Sequence, residues 1–120
     1  MRALVVDDSS AMRAVLGMTL KRRGFETLQA KDGLDALTVL SGGGHVDLIL
    51  IDWNMPGMNG LELLRRIRQQ PAYAGTRVLM VTTETGMGQM TEAIAAGANE
   101  YIMKPFTAEI VWDKLQLLGL

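Results

Sequence analysis

The sequence contains no cysteine and a single histidine among its 120 residues. Without cysteine the chain can form neither a disulfide framework nor a thiolate metal site, which is compatible with a reducing compartment. Zinc and copper sites depend on clustered histidine and cysteine ligands and are therefore not predicted.

Long apolar runs and excess charge are also missing. No apolar run is long enough to span a bilayer, and Asp7 and Asp8 come too early for the apolar region of a signal peptide, so we expect a cytoplasmic protein without membrane insertion. The net charge of −1 lacks the basic excess that attracts nucleic acid or anionic lipid. Two local basic groups fall at the ends of predicted helices and are expected to be solvated: residues 21–23, and Arg65, Arg66 and Arg68.

The most informative stretch runs from residue 48 to residue 60. Four branched apolar residues lead directly into Asp52, and turn-forming residues follow. Such a run is typical of a central parallel strand buried on both faces, and the carboxyl end of such a strand is where α/β proteins bind ligands. In the following turn, Trp53 is expected to be partly exposed and Gly60 to supply only a turn backbone.

The rest of the chain alternates strand-like and helix-like segments, with strands predicted at residues 3–6, 25–29, 48–51, 77–81 and 100–103. Size and composition suit one globular domain. Five strands alternating with five helices predict an α/β fold, a doubly wound parallel sheet with helices on both faces. The flavodoxin-like strand order 2-1-3-4-5 is natural at this size, with the weakly patterned second strand at an edge.

This topology gathers five polar residues at the carboxyl ends of the strands: Asp7, Asp8, Asp52, Thr82 and Lys104. Two unit charges about 5 Å apart interact by roughly 3 kcal/mol at an effective dielectric constant near 20, so three carboxylates favour a bound cation. Oxygen ligands favour Mg²⁺. Pro105 permits a cis peptide bond, which would aim Lys104 into the crevice.

A carboxylate beside Mg²⁺, a lysine and a hydroxyl is a set suited to phosphoryl transfer. The cations would neutralise the phosphoryl oxygens, the hydroxyl would donate a hydrogen bond, and a carboxylate would attack phosphorus. We assign Asp52 as the nucleophile because it ends the central strand. The residues alone leave Asp7 and Asp8 as contenders.

Four motifs carry a resemblance to a known family: residues 5–8 (VVDD), residues 52–60 (DWNMPGMNG), residues 81–82 (VT) and residues 101–106 (YIMKPF). Together they resemble the receiver domain of two-component response regulators, most closely the single-domain chemotaxis type (CheY-like). The resemblance covers essentially the whole chain, so we expect one receiver domain over residues 1–120. The strand order above is also this family's own, so the two predictions are not independent.

The resemblance implies roles for the residues around the acceptor. Asp52 would accept a phosphoryl group from a histidine kinase, a phosphotransfer protein or a small acyl phosphate. Asp8 and Asp52 would bind Mg²⁺ directly, Asp7 through water, and the backbone carbonyl of Asn54 would supply another oxygen. Lys104 would contact the phosphoryl group, so the chain would catalyse its own phosphorylation and dephosphorylation.

The resemblance also implies a route for the signal. Thr82 would move towards the phosphoryl group and Tyr101 would follow inward, switching the face made by the fourth helix, fifth strand and fifth helix for a downstream protein effector. Asn54 and Glu84 match positions that tune the hydrolysis of the acyl phosphate. We expect a monomer. Residues 85–89 lack the lysines of members that dock on a flagellar motor, so no motor partner is assigned.

Two rival functions are carried alongside. A Mg²⁺-dependent phosphohydrolase working through an aspartyl phosphate usually has an acid two residues after the nucleophile, where this chain has Asn54. A receiver-like binding module that never carries phosphate would not need Asp52, Thr82 and Lys104 together.

Overall fold

The computed structural model describes residues 1–83 and 87–120. Across these residues strands and helices alternate: β1 (Arg2–Val6), α1 (Ser10–Lys21), β2 (Glu26–Ala30), α2 (Gly33–Ser41), β3 (Leu48–Asp52), α3 (Gly60–Arg68), a 3₁₀ turn (Pro71–Tyr73), β4 (Arg77–Thr82), α4 (Met87–Ala96), β5 (Glu100–Met103) and α5 (Ala108–Leu117). All neighbouring strands are parallel, in the order β2-β1-β3-β4-β5. The predicted fold class and strand order are confirmed.

Strand boundaries differ from the predicted ones mainly at β2, which begins one residue later. The backbone turns at Gly24, whose φ is +87°, and the amide of Phe25 donates to the carbonyl of Leu20 at 3.2 Å. Phe25 therefore closes α1 and does not start the strand. At the other end, β3 and β4 each run one residue further than predicted, so Asp52 and Thr82 are themselves the last residues of their strands.

Two apolar layers cover the sheet, one on each face. Side chains alternate along β3, so Leu48 and Leu50 pack against α1 and α5, while Ile49 and Ile51 pack against α2, α3 and α4. All five residues of β3 are buried. Because each fully buried Leu or Ile contributes about 1.5 to 3 kcal/mol, the four aliphatic residues of β3 make a large contribution to the stability of the sheet. No helix in the described residues is long and apolar enough to cross a membrane.

Arg68 corrects the expectation that the basic group ending α3 is solvated. Its guanidinium donates to the carbonyl oxygens of Tyr73 and Thr76 at 2.8 Å and of Gly97 at 2.9 Å, and to Oδ1 of Asn99 at 2.9 Å. The same Asn99 oxygen accepts the amide hydrogen of Val78 at 2.8 Å. One side chain thus joins the ends of α3 and α4 to the start of β4. The spacing of apolar residues in the helices does not predict this connection.

We predict that Arg68→Ala lowers the free energy of unfolding by about 2 to 3 kcal/mol, because several charge-assisted hydrogen bonds are lost together. Arg68→Lys should recover little of this, since an ammonium lacks the planar fork. Urea denaturation followed by circular dichroism measures both changes. Arg66→Ala is the matched control: Arg66 pairs with Glu62 on the exposed side of the same helix at 3.4 Å, and its loss should cost under about 0.5 kcal/mol. Equal losses for Arg66→Ala and Arg68→Ala would contradict the prediction.

Candidate functional site

The carboxyl edge of the sheet brings together the acidic residues predicted to meet there. Asp7 and Asp8 follow β1 directly, and Asp52 ends β3. One carboxylate oxygen from each of the three lies within 4.8 Å of the others. The ammonium of Lys104, just after β5, lies 3.3 Å from Oδ1 of Asp52 and 3.5 Å from Oδ2 of Asp7. The peptide bond between Lys104 and Pro105 is cis.

Burial makes it costly in free energy to keep the carboxylates of this cluster ionised. Asp7 is 1% exposed and Asp52 is 5% exposed, whereas Asp8 faces solvent. Burial raises the pKa of the Asp52 carboxyl above its ordinary value, the charge of Asp7 raises it further, and Lys104 acts against both. Three carboxylates against one ammonium leave the site negative, so a cation is favoured there.

The donor set fits a hard divalent cation such as Mg²⁺, which prefers carboxylate and carbonyl oxygens. Oδ1 of Asp7 accepts the amide hydrogen of Ser9 at 2.9 Å, but the buried Oδ2 accepts no hydrogen bond from the described residues. Its contact with Lys104 at 3.5 Å is an ion pair at the limit of hydrogen-bond distance. An oxygen so placed is suited to face a cation, directly or through water. Asn54 lies exposed in the loop after β3, and its role as a ligand stays a prediction.

Thr82 and Tyr101 border the same narrow gap beside the site. Seven side chains line this gap, which is too narrow to hold a water molecule: Trp53, Met80, Thr82, Gln89, Met90, Ala93 and Tyr101. The hydroxyl of Thr82, a residue 2% exposed, donates to Oε1 of Gln89 on α4 at 3.4 Å. Sequence reasoning missed Gln89, because no periodic pattern shows which side chain of α4 lies beside the end of β4. Glu84, the predicted tuning residue, lies outside the described residues, as do residues 85 and 86.

Two predictions about the turn after β3 are wrong. Trp53 is 8% exposed, because its amide donates to the carbonyl of Val81 at 2.8 Å and its side chain continues the inward face of Ile49 and Ile51. Gly60 does more than turn the chain: a Cβ there would overlap the carbonyl oxygen of Asp52 and lie 2.9 Å from the Cα of Trp53. The first residue of α3 therefore packs directly on the backbone of the site.

Residues 3–116 match the family model of the response regulator receiver domain. The chain belongs to this family. A chemotaxis protein CheY homolog of Campylobacter jejuni is 44% identical over 117 residues, covering 97% of this chain and 90% of the relative. The chemotaxis protein CheY of Pseudomonas aeruginosa is also 44% identical, over 97% of this chain and 94% of its own length. A solved structure of Vibrio cholerae chemotaxis protein CheY4 superposes with a TM-score of 0.90 at 38% identity, covering 97% and 96% of the two chains.

Membership in the receiver family confirms the predicted class of function. The chain is a phosphorylation-switched signalling receiver of the two-component type, homologous to chemotaxis response regulators. Receiver domains typically use a metal ion and interact with kinases and downstream effectors. The phosphohydrolase and the non-phosphorylated binding module are not favoured.

We predict that Asp52→Asn stabilises the metal-free protein at pH 7 relative to the parent protein, because burial and the charge of Asp7 oppose the ionised form of Asp52. The folded state binds the Asp52 proton more tightly than the unfolded chain, so ionisation of Asp52 costs stability. This cost is absent below the ordinary pKa of 3.8 and appears as the pH rises through the raised pKa. Thermal unfolding with EDTA across this pH range measures the difference between the variant and the parent protein.

Asp47→Asn provides a control of opposite sign. The amide hydrogen of Arg2, donated to Asp47 Oδ2 at 2.9 Å, lowers the pKa of Asp47, and His45 lies 3.0 Å from its other oxygen. Its ionised form therefore stabilises the fold above pH 3.8, and this contribution is lost as the pH falls through the lowered pKa. Asp47→Asn should destabilise the protein at pH 7. Destabilisation by Asp52→Asn would show that repulsion does not dominate the site.

Proposed function

We propose that Asp52 is the phosphoryl acceptor of this receiver and that the chain acts in chemotaxis-type signalling. The observation that carries the proposal is a nearly buried carboxylate at the end of the central strand, 3.3 Å from a lysine ammonium and within 4.8 Å of two further carboxylates. Asp7 is less suitable because it is 1% exposed and one oxygen is held by Ser9. Asp8 is less suitable because it faces solvent.

In the proposed reaction, an Asp52 oxygen attacks the phosphorus of a phosphohistidine on a histidine kinase or phosphotransfer protein. The new oxygen–phosphorus bond forms as the phosphorus–nitrogen bond breaks, and the electron pair stays on the imidazole, which takes up a proton. With a small acyl phosphate the bond that breaks is phosphorus–oxygen and a carboxylate leaves. Lys104 stabilises the negative charge on the transferred group, and the Thr82 hydroxyl offers a hydrogen bond to it.

Asp8 and Asp52 would hold Mg²⁺ directly, Asp7 through water, and the Asn54 carbonyl would complete the protein ligands. When bound, Mg²⁺ supplies charge neutralisation at the phosphoryl oxygens. Hydrolysis of the acyl phosphate by water would return Asp52 to its free form. Asn54 and Glu84 are proposed to set the rate of that step.

The output surface we propose is the face formed by α4, β5 and α5, with Thr82 and Tyr101 as the switch residues. Among the described residues, four large apolar side chains are well exposed on these elements: Ile94 at 47%, Met103 at 39%, Ile110 at 42% and Leu117 at 73%. A protein effector that covers them would gain apolar burial. Residues 1–120 are proposed to act as one monomeric receiver domain.

Incubation with acetyl phosphate and Mg²⁺ should add the mass of one phosphoryl group to the intact protein, while Asp52→Asn should gain none. Lys104→Met should gain it at least tenfold more slowly, because the charge opposing the phosphoryl oxygens is lost. Intact-protein mass spectrometry over time measures both. Asp47→Asn is the matched control, because it makes the same carboxylate-to-amide change at the amino end of β3, away from the site. This variant should react like the parent protein. A phosphoryl group retained in Asp52→Asn would assign the acceptor elsewhere, and turnover of small phosphate esters would revive the phosphohydrolase.

Mg²⁺ should raise the thermal midpoint, since a ligand at 100 times its dissociation constant stabilises the folded state by about 2.7 kcal/mol. Asp8→Asn, a change at an exposed ligand, should fold normally and require at least tenfold more Mg²⁺ for the same shift. Differential scanning fluorimetry across a Mg²⁺ titration measures this. The response of Asp47→Asn should match that of the parent protein, and an unchanged titration in Asp8→Asn would remove Asp8 from the ligand set.

A further inference from the structure

Tyr101 is held by two charged side chains that the proposed reaction does not use. The ammonium of Lys114 on α5 lies 4.8 Å from the centroid of the Tyr101 ring and 3.1 Å from Oε1 of Glu100 on β5. The same Glu100 oxygen accepts the amide hydrogen of Tyr101 at 3.2 Å. Ring, ammonium and carboxylate therefore form a closed set of contacts, which we call the Tyr101 clamp.

The clamp is partly shielded from solvent. The side chains of Lys114 and Glu100 are 26% and 21% exposed, whereas those of the surface pair Arg66 and Glu62 are 49% and 51% exposed. Shielded charges are screened less by salt and water than exposed ones. A cation over a ring in this setting contributes more than an isolated surface ion pair.

The ring also borders the narrow gap that it shares with Thr82, Trp53 and Gln89. That gap has no room for water, so the ring can move further inward only if its lining side chains also move. A reorientation of the ring that breaks its contact with Lys114 would lose the attraction of the cation. The observed and the reoriented ring would therefore differ in a specific contact, and a difference of this kind can set their populations.

We propose that Lys114 and Glu100 are positioning residues that hold the Tyr101 ring in the observed orientation, beside the Lys114 ammonium, and bias it against movement towards Thr82. The expected effect on signalling rests on the proposed role of Tyr101 as a switch residue. The expected effect on the orientation of the ring does not. Loss of the cation over the ring should raise the population of the reoriented ring about two- to fivefold.

The test measures the Tyr101 side chain directly, with no phosphoryl donor present. The protein contains two tyrosines, so a 3-fluorotyrosine label in a Tyr73→Phe background reports Tyr101 alone by ¹⁹F NMR. Lys114→Met keeps the aliphatic stem and removes the charge, and should shift the population two- to fivefold. Lys114→Arg keeps a cation and should restore the parent spectrum. Glu100→Gln keeps an acceptor for the Tyr101 amide and should give an intermediate shift.

Glu62→Gln is the matched control because it breaks an ion pair on α3 and should leave the Tyr101 signal unchanged. An unchanged spectrum in Lys114→Met, or equal shifts in Lys114→Met and Lys114→Arg, would overturn the proposal. Unfolding measurements on each variant separate a population shift from general loosening, which would lower the free energy of unfolding much further than the loss of one contact.

A second measurement keeps this inference separate from the proposed function. Phosphorylation of Lys114→Met by acetyl phosphate should be about two- to fivefold faster than in the parent protein. If the NMR population shifts and the rate does not, the clamp stands and the link from Tyr101 to Asp52 fails. If the parent protein takes up no phosphoryl group, the proposed acceptor fails while the NMR result still decides the clamp.

Discussion

The contact of one ammonium with two buried carboxylates is the interaction on which the charged site at the strand ends depends. Lys104 lies beyond the end of β5, yet its target Asp52 ends β3, with β4 between them. The backbone makes this reach possible, because the amide of Lys104 donates to the carbonyl of Thr82 at 2.7 Å and carries the loop across the end of β4. Without that cation the strand ends would bring together only like charges.

The sheet tolerates this concentration of charge because the rest of its central strand is apolar and buried on both faces. Residues 48–51 supply the packing, and residue 52 supplies the chemistry, within one continuous element. The residues that stabilise the sheet and the residue proposed to react are therefore adjacent in the sequence. Functional sites commonly violate the pattern that the surrounding fold obeys, and here the violation lies at a strand terminus, where rigid backbone fixes the reacting group.

Sequence reasoning located the strands and the five polar residues at their ends, because burial leaves a periodic apolar pattern and parallel topology fixes which ends meet. It failed where position depends on the path of loops. Arg68 was expected to be a solvated helix-terminal cation, but three carbonyl groups from two separate segments accept hydrogen bonds from it. Trp53 reads as a loop residue, but one further ladder hydrogen bond directs it inward. Gly60 was expected only to supply a turn, but a side chain at this position would overlap the backbone of Asp52.

The Arg68 network also has a mechanical consequence for α4. Its far end, at Gly97, is fastened to α3 through the guanidinium, while Gln89 near its start touches Thr82. A helix of this length, about 15 Å, that is fixed at one end responds to a push at the other by tilting. Gln89 lies about 12 Å from Gly97 along the helix, so a displacement of about 1 Å at Gln89 corresponds to a tilt of roughly 5° around Gly97. In this geometry α4 would pivot about its end at Gly97, which lies near the amino ends of the strands, away from the charged site.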